Sequence, residues 1–87
     1  MDFNGGQENR PSTKTQEAIG LYRDGNFKRA FKIFKTFKLT FQKEYIRLIE
    51  IAYESLCGKT SFYQSLGIDT DKTIQQAKSL INKTYLS

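Results

Sequence analysis

One stretch, Gly25 to Leu39 (GNFKRAFKIFKTFKL), constrains this chain more than any other. Four of the chain's seven phenylalanines fall in it, Phe27, Phe31, Phe34 and Phe37, interleaved with Lys28, Arg29, Lys32, Lys35 and Lys38. At about 100° per residue, Phe27, Ala30, Phe31, Phe34 and Phe37 gather on one side of a helix, with Lys28, Arg29, Lys32 and Lys35 on the other. Burying each ring stabilises by roughly 1.5–3 kcal/mol. A stripe this aromatic has to be covered by other helices, and the rest of the chain is expected to supply them.

With 87 residues the chain can build one small core. Its hydrophobic fraction of 38 % is low, but 14 % aromatics restore the missing side-chain volume. Valine is absent, and no turn dipeptide separates alternating runs, so strand pairing has no support and an all-α domain is expected. The lone cysteine, Cys57, excludes an internal disulfide framework. No apolar run approaches the ~18–20 residues of a membrane span, and the first residues, MDFNGGQENRPSTK, do not resemble a signal peptide. A cytoplasmic protein with no membrane partner is the expectation. The net charge is +5, and no acidic residue lies between Gly25 and Lys43. That local positive face attracts anionic partners.

Read in order, residues 1–12 are polar, with Phe3 as the one large apolar residue after the initiator, and are expected to be a disordered lead-in. A single domain is expected over 13–87. Thr13 with Gln16 fits a capping box for a first helix running to Asp24, with Ala18, Leu21 and Tyr22 inward and Gly25 closing it. Asn26 caps the second helix, which is the Gly25–Leu39 stretch itself. Thr40 is the next expected cap, before a third helix from Phe41 to Cys57 that Gly58 stops. Its inward face is read as Phe41, Tyr45, Leu48, Ile49, Ala52 and Leu56; on its polar face Arg47 can meet Glu50. A short helix from Ser61 to Leu66 offers Phe62, Tyr63 and Leu66 to the core and ends at Gly67. The last helix starts near Thr70 or Asp71 and runs to Tyr85, with Ile74, Ala77, Ile81 and Tyr85 in register. Short connections make successive helices antiparallel neighbours in a bundle of four to five.

Ala18, Leu21, Tyr22, Gly25, Phe27, Ala30 and Phe34 together resemble the signature of a tetratricopeptide (TPR) repeat. The small residues let two helices approach, and the aromatics fill the space beside them. Moving on by the family's period of about 34 residues, Ala18 maps onto Ala52 and Tyr22 onto Leu56. The resemblance covers about Lys14 to Cys57. Phe37 stands where the family has a small residue, and the second glycine turn decays into Gly58-Lys59-Thr60. The three-helix MIT domain, a binder of short helical peptides, is a second resemblance. The TPR likeness implies a concave groove lined by Thr15, Ile19, Tyr22 and Arg23, then Ile46, Ile49, Tyr53 and Cys57, with Ile19, Tyr22, Arg23, Ile49 and Tyr53 as its principal contacts. It implies a non-enzymatic module that binds a protein segment or partner helix. The competing reading packs the last helix into that groove and makes Ile49 and Tyr53 plain core.

The cationic set Lys28, Arg29, Lys32 and Lys35 supports an alternative, a small nucleic-acid-binding protein. Lysine outnumbers arginine there and the aromatics face inward, which weakens it against an ordinary solvated face. Ser61 to Ile74 has a helix-turn-helix spacing that would present Gln75, Gln76, Lys78 and Ser79, with a turn about one residue too long. Gly58-Lys59-Thr60-Ser61 imitates the end of a P-loop without its leading glycine, and Asn82-Lys83-Thr84 is a glycosylation sequon without a secretory context. Catalysis is not expected: histidine is absent, Cys57 has no base, and Asp69 and Asp71 suit helix capping. No cofactor or metal is expected. With too few repeats to bury both ends of a stack, a homodimer is a further expectation.

Overall fold

The computed structural model describes residues 11–86, with side chains from Lys14 onward. Among the described residues five α-helices follow one another: α1 (Pro11–Arg23), α2 (Phe27–Phe34), α3 (Lys43–Glu54), α4 (Thr60–Ser65) and α5 (Thr70–Ile81). A π-helical turn, Ser55–Lys59, joins α3 to α4, and another, Asn82–Leu86, follows α5. Among the described residues there is no strand. The protein is an all-α bundle. Most of the expected lead-in lies outside the described residues, but Pro11 and Ser12 belong to α1. Proline suits that first helical position, where its missing N–H has no partner to lose. Thr13 therefore stands inside the helix and not before it.

Two helix ends are built alike. After α1, the Gly25 amide donates to the Tyr22 carbonyl (3.1 Å) and the Asn26 amide reaches back to Leu21 (2.9 Å). After α4, Gly67 donates to Gln64 and Ile68 to Tyr63, both at 3.0 Å. Each is a Schellman closure with glycine at positive φ, 86° for Gly25 and 83° for Gly67. A polar cap opens the next helix: Asn26 Oδ1 accepts from the Arg29 amide, and Asp69 Oδ1 from the Lys72 amide. α5 thus starts at Thr70, as the sequence suggests, with Asp69 as its cap.

Other boundaries moved. α2 stops at Phe34, five residues short of Leu39, because its last turn tightens into three-residue bonds from Thr36 to Ile33 and Phe37 to Phe34. The Thr36 hydroxyl also donates to the Ile33 carbonyl (2.6 Å), diverting an acceptor that a continuing helix would use. Thr40 caps nothing. α3 begins at Lys43 behind Gln42, whose side chain makes no capping bond. At its far end the helical path does break at Gly58, the residue expected to stop it. α3 widens into the π turn after Glu54, and the left-handed Gly58 (φ 106°) kinks the chain before α4 begins at Thr60.

The core is one cluster. Ala18, Ala30, Phe31, Phe34, Ile49, Ala52, Ala77 and Ile81 have no exposure, and Tyr22, Phe41 and Ile46 are buried with them. The alanines let α1, α2, α3 and α5 close up, and the phenylalanines fill what remains. Tyr22 meets Phe27 edge to face at 5.1 Å, and Phe34 meets Phe37 likewise at 5.6 Å. Tyr85, in the final turn, stacks on Phe34 (5.5 Å) and stands edge-on to Phe41 (6.3 Å). Phe37 keeps a place against the core although it lies beyond the helix.

Several inward assignments fail on α3 and α4. Tyr45 is 43 % exposed, Leu56 is at the surface, and Phe62 and Leu66 are more than half exposed. Ile46 takes the buried place expected of Tyr45. On α4 only Tyr63 is buried, its hydroxyl donating to the Glu54 carboxylate.

Candidate interaction surfaces

The groove implied by the repeat resemblance is not open. Ile49 is fully buried, and Tyr22 is a core residue whose hydroxyl donates to the Lys78 carbonyl on α5 (3.1 Å). Lys78 Nζ lies over the Phe27 ring, 4.0 Å from its centroid. α5 therefore sits across the surface that a bound segment would use. Burial pushes the Tyr22 hydroxyl pKa above its ordinary value, as expected for a phenol held away from water. Of the remaining groove residues, Ile19 and Tyr53 are half-buried against the core and Arg23 is exposed. Ile46 is core and Cys57 is exposed. The Tyr53 hydroxyl pKa is raised chiefly by its hydrogen bond with Cys57, then by burial and by the neighbouring Cys57 and Glu54 charges.

The cationic set divides. Lys28, Arg29 and Lys32 are exposed, and none of them is in an ion pair among the described residues. Arg29 and Lys32 border a shallow depression against α1, opposite Lys14 and Glu17. Lys35 leans the other way, over the Tyr53 ring at 5.5 Å. The division follows from the helix: with Ala30, Phe31 and Phe34 inward, positions 29 and 35 fall on opposite flanks of the buried stripe. The expected pair Arg47–Glu50 is present at 3.6 Å, exposed and of small energetic weight.

A surface absent from the sequence reading lies between α3 and α5. It is a trough of about 570 Å³ bordered by Tyr45, Leu48 and Leu80, with Gln75, Gln76 and Ser79 along α5. The spacing of Tyr45 from Leu48 and Ile49 predicts it inward, and no local signal separates it from Ile46. The residues of the helix-turn-helix spacing appear here, except Lys78, which turns toward Phe27. Among the described residues no group of His, Cys, Asp and Glu is arranged to hold a metal ion. Nor is any helix of the described residues long and apolar enough to cross a membrane. Comparison of the chain with protein-family models, with curated proteins and with solved structures gives no match.

Proposed function

We propose that the chain is a non-enzymatic helical interaction module that binds a protein segment in the trough between α3 and α5. The observation that carries this reading is Tyr45. Its neighbours Ile46, Ile49 and Ala52 are buried, yet this ring stands 43 % exposed beside half-buried Leu48 and Leu80. An amphipathic tyrosine beside apolar Leu48 and Leu80, with amide side chains and the charged Glu44, Lys72 and Lys83 around them, suits a helix or extended segment. The mode resembles that of TPR adaptors, with the binding face moved because α5 covers the concave one. A photo-cross-linking residue at position 45 of the full chain, in its native host, should form a covalent protein adduct. Gln76→Arg, an exposed change that blocks the trough, should abolish it. Adduct formation unaltered by Gln76→Arg would sink the trough as the binding face.

A second reading, nucleic-acid binding through α2, is favoured by one observation, the exposed Lys28, Arg29 and Lys32, which form no ion pair among the described residues. It predicts a steep loss of affinity with salt, roughly −0.9 in log–log slope per neutralised phosphate on duplex DNA. It also predicts collapse of binding when Lys28, Lys32 and Lys35 are reversed to Glu. A segment bound in the trough should tolerate both changes.

A further inference from the structure

Three shallow depressions run into one another around the end of the bundle where α2 gives way to α3. The first, between α1 and α2, is bordered by Lys14, Arg29 and Lys32. It shares Lys14 and Thr36 with a second, along the connection that carries Lys38 and Leu39. The second shares Lys38 with a third, bordered by Lys43 and Arg47 on α3. Six cations, Lys14, Arg29, Lys32, Lys38, Lys43 and Arg47, thus line one continuous band. Two carboxylates share it, Glu17 and Glu50, and Glu50 is already paired with Arg47. Where the second depression runs along the connection, Leu39 is 105 % exposed, touching nothing that shields it. A lone exposed leucine is ordinary. One standing fully exposed on the α2–α3 connection, in the middle depression of a band lined by cations, is a combination with a physical use.

We propose that this end of the bundle docks on an anionic lipid surface. Leu39 enters the boundary between headgroups and acyl chains, and Lys14, Lys38 and Lys43 contact the lipid phosphates. Shape favours a lipid surface over a protein partner: a single projecting side chain sinks into a soft bilayer, whereas a rigid protein needs a matching pocket. It is also favoured over a nucleic acid, because Phe41 is buried, Phe37 is packed against the core, and no aromatic face is left along the band to stack on bases. Surface attachment requires no spanning helix; a juxtaposed apolar anchor and basic patch provide it. A lipid partner was not expected from the sequence, because Lys14, Lys38 and Lys43 meet only through the fold. The band and the α3–α5 trough lie on opposite flanks of the buried stripe of α3, so this proposal stands or falls apart from the protein-binding reading.

The test is co-sedimentation of the full chain with vesicles of phosphatidylcholine alone or mixed with phosphatidylserine, at low and high salt. Binding is expected to the mixed vesicles only, and to weaken as salt screens the headgroups. Each of Lys38→Glu and Lys43→Glu should weaken it at least about fivefold. Leu39→Asp should weaken it about tenfold or more. Lys59→Glu removes the same charge from a position outside the band and should change binding less than about twofold. Leu39 is fully exposed, so its loss should leave the melting temperature unmoved and isolate the anchor from the fold. Failure to bind mixed vesicles at low salt overturns the proposal, as does a Leu39→Asp variant that binds like the parent. Duplex DNA run in parallel gives the remaining outcome: Lys38- and Lys43-dependent binding to DNA with none to vesicles would make the band a nucleic-acid face instead.

Discussion

α2 and α4 are both short helices, of eight and six residues, both carry aromatic side chains, and both follow a glycine, yet they meet opposite fates. α2 has α1 on one side, α3 on another and the C-terminal turn over its end, so Phe31 and Phe34 lose all exposure. α4 rests on the π turn and the start of α5, and of its apolar residues only Tyr63 is buried. The difference teaches that an aromatic residue becomes core through the number of elements around it, not through its own hydrophobicity or helical spacing. Phe62 and Leu66 are as apolar as Phe31 and Phe34; what they lack is a covering element.

The largest expected effect lies on the α2 side. Phe34→Ala should cost about 3–5 kcal/mol, since it removes a ring with no exposure together with its contacts to Phe37 and Tyr85. In a domain this size that approaches the whole stability. Urea denaturation followed by circular dichroism checks it, and an unchanged midpoint would break the contrast at its stronger pole.

Tyr85→Ala comes next, at about 1–3 kcal/mol, because a half-buried ring covers Phe34 and Phe41 from the end of the chain. A loss within error would mean that the final turn lies beside the α2 core without closing it. Thermal melts of the two variants and their double mutant should be non-additive, because the rings touch.

A smaller effect belongs to alkaline pH. Burial raises the Tyr22 pKa above the ordinary 10.0, and the hydrogen bond to Glu54 foremost raises that of Tyr63. Below about pH 10 both the folded and unfolded chain hold these protons. Above it the unfolded chain releases them first, the folded state binds more protons, and stability falls as pH rises toward the folded values. Denaturation midpoints between neutral pH and pH ~11 should show this decline. Tyr22→Phe should make it shallower, while losing about 0.5–1.5 kcal/mol at neutral pH with the Lys78 hydrogen bond. An identical slope would place the alkaline sensitivity elsewhere.

The smallest effect is expected on α4. Phe62→Ser should change stability by no more than about 0.5 kcal/mol, because its ring is mostly in water. A cost above ~1 kcal/mol that grows with protein concentration would mean that a second copy covers the α4 corner. Sedimentation over the same concentrations would then show a dimer that the substitution dissolves.

Local chemistry alone determined a good part of this protein. The Gly25 closure, the Asn26 cap, the inward Ala18, Ala30, Phe31 and Phe34, and the all-α class follow from spacing and backbone preference, which act within a few residues. The same local rules misplaced Tyr45, Leu56, Phe62 and Leu66, and ran α2 on to Leu39, because propensity and period say which side chains share a face but not whether anything packs against it. They left open whether the groove along Tyr22 and Ile49 is free or filled by the last helix; α5 lies against it, bonded through a residue 56 positions away in the chain. Only the tertiary structure decided that Arg29 and Lys32 join Lys14, Lys38, Lys43 and Arg47 in one band while Lys35 turns to Tyr53. The physical reason is distance: a helix face is set by neighbours three and four residues apart, but a surface is set by which faces the closed core leaves side by side.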